Sequence, residues 1–100
     1  IRPKFSRIGK LIITEHAVEQ MAAYLALKTA GVTYVNKVMV EMKDEGATVK
    51  LELTAKYSWY LPEVAENVRK NVRQNLENLT GLIIYGVHIV FRSLELPKAD

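Results

Sequence analysis

Between Val35 and Ser58 the chain switches to a period of two on either side of a single tight turn. In the first run Val38, Val40 and Met42 fall on one side, while Lys37, Met39, Glu41 and Lys43 fall on the other. In the return run Val49, Leu51, Leu53, Ala55 and Tyr57 alternate with Lys50, Glu52, Thr54, Lys56 and Ser58. Successive strand side chains point to opposite faces, so this pattern specifies a hairpin with one wet face and one that must be covered. Asp44-Glu45-Gly46 supplies the turn.

The covering elements flank the hairpin. Thr14 is a good N-cap, and Val18, Met21, Ala22, Leu25 and Thr29 then recur at helical spacing as far as Gly31, which predicts a helix over about residues 14–30. Beyond the hairpin, Pro62 suits a first helical turn. Leu61, Ala65, Val68, Val72, Leu76 and Leu79 continue as an apolar stripe that Thr80-Gly81 ends. A short apolar run over Lys10–Ile13 precedes the first helix. A longer one, Leu82–Phe91, follows the second, with Val87, Ile89 and Phe91 opposite Gly86, His88 and Val90. The predicted order is β-α-β-β-α-β. Two one-sided helices and a one-sided sheet satisfy each other by stacking, which gives an α+β two-layer sandwich. Both helices pack on one face of a mainly antiparallel sheet of three to four strands.

One hundred residues, of which 49% are hydrophobic and 25% charged, make one ordinary domain. No repeat or Pro/Gly/Ser linker divides it. We read residues 1–8 as a basic N-terminal arm, 9–96 as the domain and 97–100 as a tail. Arg2, Lys4, Arg7 and Lys10 stand in the first ten residues without an acid among them, whereas the remainder is close to neutral. The basic character therefore belongs to the arm, which reads first as a short solvated segment and otherwise as one that touches an anionic membrane surface or nucleic acid. The absence of cysteine excludes disulfides, thiolate zinc sites and iron–sulfur clusters. The longest purely apolar runs, such as Leu82–Tyr85, are far shorter than the roughly 20 residues of a membrane-crossing helix.

Groups that would drive a reaction are sparse. The histidines, His16 and His88, stand in no zinc-binding pattern. His16 and Glu19 are one helical turn apart, but two ligands do not make a metal site. Ser6, Ser58 and Ser93 lack nucleophile-elbow glycines, and the five glycines stand singly at turns and caps. Glu15 with Glu19, and Asp44 with Glu45, read as solvated charge. No enzyme activity, metal, cofactor or small-molecule substrate is expected. The alternative function is a small RNA-binding domain resembling a K homology module. Its G-x-x-G loop is missing, however, and the open sheet face carries mixed charge rather than stacking aromatics. Arg69, Lys70 and Arg73 are offset by Glu63, Glu66 and Glu77, with Glu66 and Glu77 spaced four residues from Lys70 and Arg73 as local ion pairs are. Surplus positive charge for a phosphate backbone is lacking, so nucleic acid is not an expected partner.

Two surfaces remain. On the first helix His16, Gln20, Ala23 and Leu27 lie opposite the core stripe, a face almost without formal charge. It reads as a candidate interaction face, unless a terminal segment covers Leu27. In Tyr57-Ser58-Trp59-Tyr60-Leu61 the outer members Tyr57 and Leu61 read as core and Trp59 continues the buried alternation. Trp59 and Tyr60 are the candidate aromatic contact. Asn75 falls inside the edge of the second helix's apolar arc, and a buried amide left unpaired costs about 1–3 kcal/mol, so it is expected to bond neighbouring backbone.

Several of these stretches together carry a family resemblance. Gly9-Lys10-Leu11-Ile12-Ile13-Thr14, Ala30-Gly31-Val32, Tyr57-Ser58-Trp59-Tyr60-Leu61-Pro62-Glu63-Val64-Ala65, Leu79-Thr80-Gly81-Leu82 and Val87-His88-Ile89-Val90 resemble the bacterial alkaline-shock-protein family of envelope stress response proteins. The likeness runs over about residues 8–94, with Ser58 where the family usually has glycine and Leu61 where it has isoleucine. The passage Val32–Lys43 lacks an insertion common in free-standing members. It looks more like the soluble domain of the membrane-anchor members, in which transmembrane helices precede the domain. The resemblance implies a non-enzymatic scaffold at the cytoplasmic side of the cell membrane, binding itself or family paralogues. It would reach the membrane through an upstream anchor or the basic arm.

Overall fold

The computed structural model describes residues 5–9 and 11–98, so Arg2, Lys4 and Lys10 of the basic arm lie outside the described residues. The elements are β1 (Phe5–Ile8), β2 (Leu11–Thr14), α1 (Glu15–Leu27), β3 (Val32–Met42), β4 (Gly46–Lys56), α2 (Leu61–Thr80) and β5 (Ile83–Glu95). The α+β class holds, but the order begins with one more strand than expected. Phe5–Ile8, which falls within the arm of the sequence reading, pairs antiparallel with Leu11–Thr14 in a separate two-stranded sheet. Gly9 at φ +59° lets the chain reverse within two residues, so the short run pairs with its neighbour rather than with the main sheet.

The main sheet has the order β3-β4-β5. β3 and β4 form the expected antiparallel hairpin, with Val40 opposite Val49 and Val38 opposite Leu51. β5 is parallel to β4 because α2 carries the chain back to the same end before β5 begins. β4 is thus the central strand. Its alternate residues Val49, Leu51, Leu53 and Ala55 are fully buried. Above them lie Val18, Ala22 and Ala26 of α1 and Val64, Val68, Val72 and Leu76 of α2.

Both helices depart from their sequence-drawn limits. α1 stops at Leu27 rather than near residue 30. The Thr29 hydroxyl turns back to donate to the Leu25 carbonyl at 3.1 Å, and the chain reverses at Gly31, whose φ is +93°. On α2 the buried residues are Val64, Val68, Val72, Leu76 and Thr80, whereas Leu79, drawn in the stripe, is 68% exposed. Four residues turn a helix through about 400°, so an i, i+4 row advances about 40° around the axis at each step. By the C-terminal end the buried side has rotated away from Leu79. Leu61 is only half-buried at the other end for the same reason.

A polar bridge joins the helices. The Asn71 side-chain amide donates to the Leu25 carbonyl at 2.9 Å and to the Thr29 hydroxyl at 3.1 Å. Asn75 donates to the Asn71 carbonyl at 2.9 Å, which is the backbone partner its position required.

Gly46 is held where three elements meet. The Lys43 N–H donates to its carbonyl at 2.8 Å, and a Cβ here would collide with the Ile83 carbonyl and crowd the Tyr85 ring. Backbone cannot yield as a side chain does. Gly46→Ala is expected to lower unfolding free energy by about 1–3 kcal/mol, read as a reduced urea midpoint at unchanged slope.

Candidate interaction surfaces

The Thr14 hydroxyl accepts the Ala17 N–H at 3.1 Å and fixes where α1 begins. That start sets the phase of the helix, turning Val18, Ala22 and Ala26 inward. His16, Gln20 and Leu27 are exposed and Ala23 is half-buried, so the predicted face exists as a continuous surface. Leu27 is 45% exposed, uncovered by any terminal segment among the described residues. Exposed Tyr24 belongs to the same surface, although helical spacing sets it at the border of that face. It stands one residue from Ala23, and the Lys28 ammonium sits 5.3 Å from its ring centre. Glu19 is the one formal charge between His16 and Leu27, and its carboxylate lies 3.7 Å from His16 Nδ1.

The aromatic turn sits at the end of the molecule where α1 finishes. β4 ends at Lys56, and Ser58 takes φ +77°, so the chain leaves the sheet before the expected alternation can continue. Tyr57, read as core, is therefore exposed. Trp59 is also exposed in part rather than continuing the buried alternation, and Tyr60 is 71% exposed. The Trp59 indole lies over Gly31, where a Cβ would stand 2.9 Å from the ring. The Lys56 N–H donates to the Gly31 carbonyl at 2.8 Å, tying the turn to the end of α1. Concavities flank the indole on both sides: one of about 340 Å³ against Tyr57, Glu95 and Pro97, and one of about 60 Å³ against Tyr60 and Glu63. Leu27 and Trp59 thus share one end of the molecule.

The remaining candidates lie apart from these. Arg7 is exposed on β1 opposite Ile12, at the end where α1 starts, about 20 Å of helix from Leu27. His88 is exposed on the open sheet face beside Lys50 and does not meet His16. Among the described residues, no three histidine, aspartate or glutamate side chains converge as metal ligands would. None of the described helices is long and apolar enough to cross a membrane. The register also places exposed Tyr34 on the open face beside Thr54, an aromatic that the alternation from Val35 onward did not include.

The ion pairs drawn on α2 form differently. Glu66 pairs with Arg69 at 3.1 Å rather than with Lys70. Glu77 accepts the Ile84 N–H at 3.0 Å, and Arg73 donates to the Tyr85 carbonyl at 3.5 Å. Satisfying backbone at the start of β5 wins over a solvent-screened pair on the helix surface.

A family model for the alkaline shock protein 23 family, described as having a cell envelope-related function, matches residues 34–96. The protein YqhY of Bacillus subtilis (strain 168) is 27% identical over 105 aligned positions, covering 85% of this chain and 78% of that protein. Among solved structures, the MamM CTD in its copper form superposes with a TM-score of 0.69 at 15% identity, over 85% of this chain and 91% of that one. A methionine-to-leucine variant of the MamM CTD gives 0.65 at 17% identity, over 83% and 98%. At these identities the structural likeness is one of fold.

Ser58 offers a direct check on the turn. The left-handed conformation costs a non-glycine residue about 1–2 kcal/mol, partly offset by the greater freedom glycine has when unfolded. Ser58→Gly, which restores the residue usual in the resembling family, is expected to raise stability by about 1 kcal/mol in denaturant titration.

Proposed function

The chain belongs to the alkaline shock protein 23 family, and from that premise we propose that it is a non-enzymatic interaction scaffold of the cell envelope. It acts at the cytoplasmic side of the membrane, associating with itself or with family paralogues. The reading rests above all on the outer face of α1. His16, Gln20, Ala23, Tyr24 and Leu27 form an uncharged strip bordered by Glu19 and Lys28, on a helix whose Val18, Ala22 and Ala26 are committed to the core. Solvated helix faces ordinarily carry charges, and a contiguous undercharged surface suits contact with another protein.

Trp59 and Tyr60 extend this surface at the Leu27 end. Exposed aromatics of this kind, held on a short turn, contribute large contact area at little cost in side-chain freedom. Arg2, Lys4, Arg7 and Lys10 make up the basic arm, of which the described member Arg7 lies at the opposite end, and anionic headgroups are their natural counter-charge. Membrane to one side and protein partners to the other is the working arrangement of such a scaffold.

Leu27→Glu tests it. The substitution leaves the fold intact, because Leu27 is nearly half exposed, and a carboxylate in an apolar contact weakens association roughly tenfold or more. Sedimentation equilibrium of both forms, together with capture of paralogues by the full-length protein, reads the effect. An associating wild type whose mass distribution is unchanged in the variant, with paralogue capture also unchanged, counts against the α1 face.

A further inference from the structure

The two edges of the main sheet are guarded unequally. Exposed edges offer unpaired N–H and C=O groups, and proteins blunt them with bulges, charges or covering side chains. β3 is bulged at Thr33 and Asn36 and carries Lys37 and Glu41, so its longest unbulged and uncharged stretch, Val38–Val40, is three residues. β5 is protected only near its ends. Arg73 and Glu77 of α2 take the Tyr85 carbonyl and the Ile84 N–H, and bulges fall at Tyr85 and Arg92. Between them Gly86-Val87-His88-Ile89-Val90-Phe91 contains no Lys, Arg, Asp, Glu or Pro, and Val90 is 43% exposed.

We propose that this edge pairs antiparallel with the β5 edge of a second copy across a two-fold axis near Ile89, joining two three-stranded sheets into one. The inference deepens the self-association in the scaffold reading, on which it rests, by naming the surface that carries it. A strand edge suits its own copy, because each strand supplies both donors and acceptors and the symmetric contact closes. With the axis near Ile89, His88 faces Val90 and Gly86 faces Arg92, so no like charges are opposed.

Charge on the overhanging helix favours the same partner. The reach of Arg73 and Glu77 shows that α2 presents one flank to this edge, and Glu66, Arg69, Arg73 and Glu77 lie within about 80° of arc on it. Ile84 to Ile89 spans about 16 Å of strand, equal to about eleven residues of helix, so the axis passes beside the part of α2 around Glu66 and Arg69. Two copies of α2 running antiparallel there bring Glu66 of each near Arg69 and Arg73 of the other. Acid meets base on both sides of the axis.

Val90→Lys is the variant that separates this from the α1 face. Its side chain lies on the open sheet face opposite Glu52, which receives the new charge, so the folded chain tolerates it. Thermal unfolding verifies that. The expected result is dimer dissociation roughly tenfold or more stronger for Val90→Lys by sedimentation equilibrium, while Leu27→Glu leaves that dimer in place and weakens paralogue capture at the α1 face instead. The chain lacks cysteine, so a nitroxide on Val90→Cys is a single label. Its spectrum should show dipolar broadening that disappears on dilution with unlabelled protein. A dimer that Leu27→Glu dissociates and Val90→Lys does not would overturn the edge and leave the α1 face standing. A label that stays sharp in a self-associated sample would overturn it as well. A wild type that remains monomeric at millimolar concentration would overturn it in favour of a foreign strand at that edge.

Discussion

Everything in the fold depends on the burial of β4. Its residues Val49, Leu51, Leu53 and Ala55 have no solvent exposure, and strands lie on both sides of it. Both helices are placed by covering this row: α1 toward β3 and α2 toward β5. Each buried branched side chain contributes about 1.5–3 kcal/mol, so Val49, Leu51 and Leu53 hold the layers together more than any polar contact does. α1 covers its share with Ala22 and Ala26, whose small side chains let the helix lie close. Met21 and Leu25 pack against the core beside them, and Tyr24 and Leu27 stay on the outside.

Polar groups act where the layers end. Asn71 and Asn75 tie the C-terminal end of α1 to α2, while Glu77 and Arg73 satisfy the first backbone groups of β5. They orient the elements, placing the aromatic turn beside Leu27 and the overhanging flank of α2 beside the β5 edge. The scaffold reading and the edge-pairing proposal thus draw on surfaces left over after the core is satisfied.

The hairpin, both helices and their inward faces were legible because period-two and helical patterns report burial directly. The face of His16, Gln20, Ala23 and Leu27 was legible for the same reason, as the complement of the core stripe. Leu79 was misplaced because a helical wheel assumes a fixed buried direction, whereas α2 crosses the sheet on a rotating i, i+4 row. Tyr57 was misplaced because alternation cannot reveal that the strand stops one residue earlier and turns through a left-handed serine. Tyr24 was missed because it lies at the border of the wheel's polar arc, where only packing decides exposure.

Local chemistry determined the caps, the reversal at Gly31, the main hairpin and the absence of cysteine chemistry, since each depends on residues a few positions apart. The parallel placement of β5, the separate β1–β2 sheet and the contrast between the two sheet edges were decided by tertiary structure. Strand pairing partners are chosen by backbone hydrogen bonds between distant segments, and those bonds leave no periodic mark on the residues that make them.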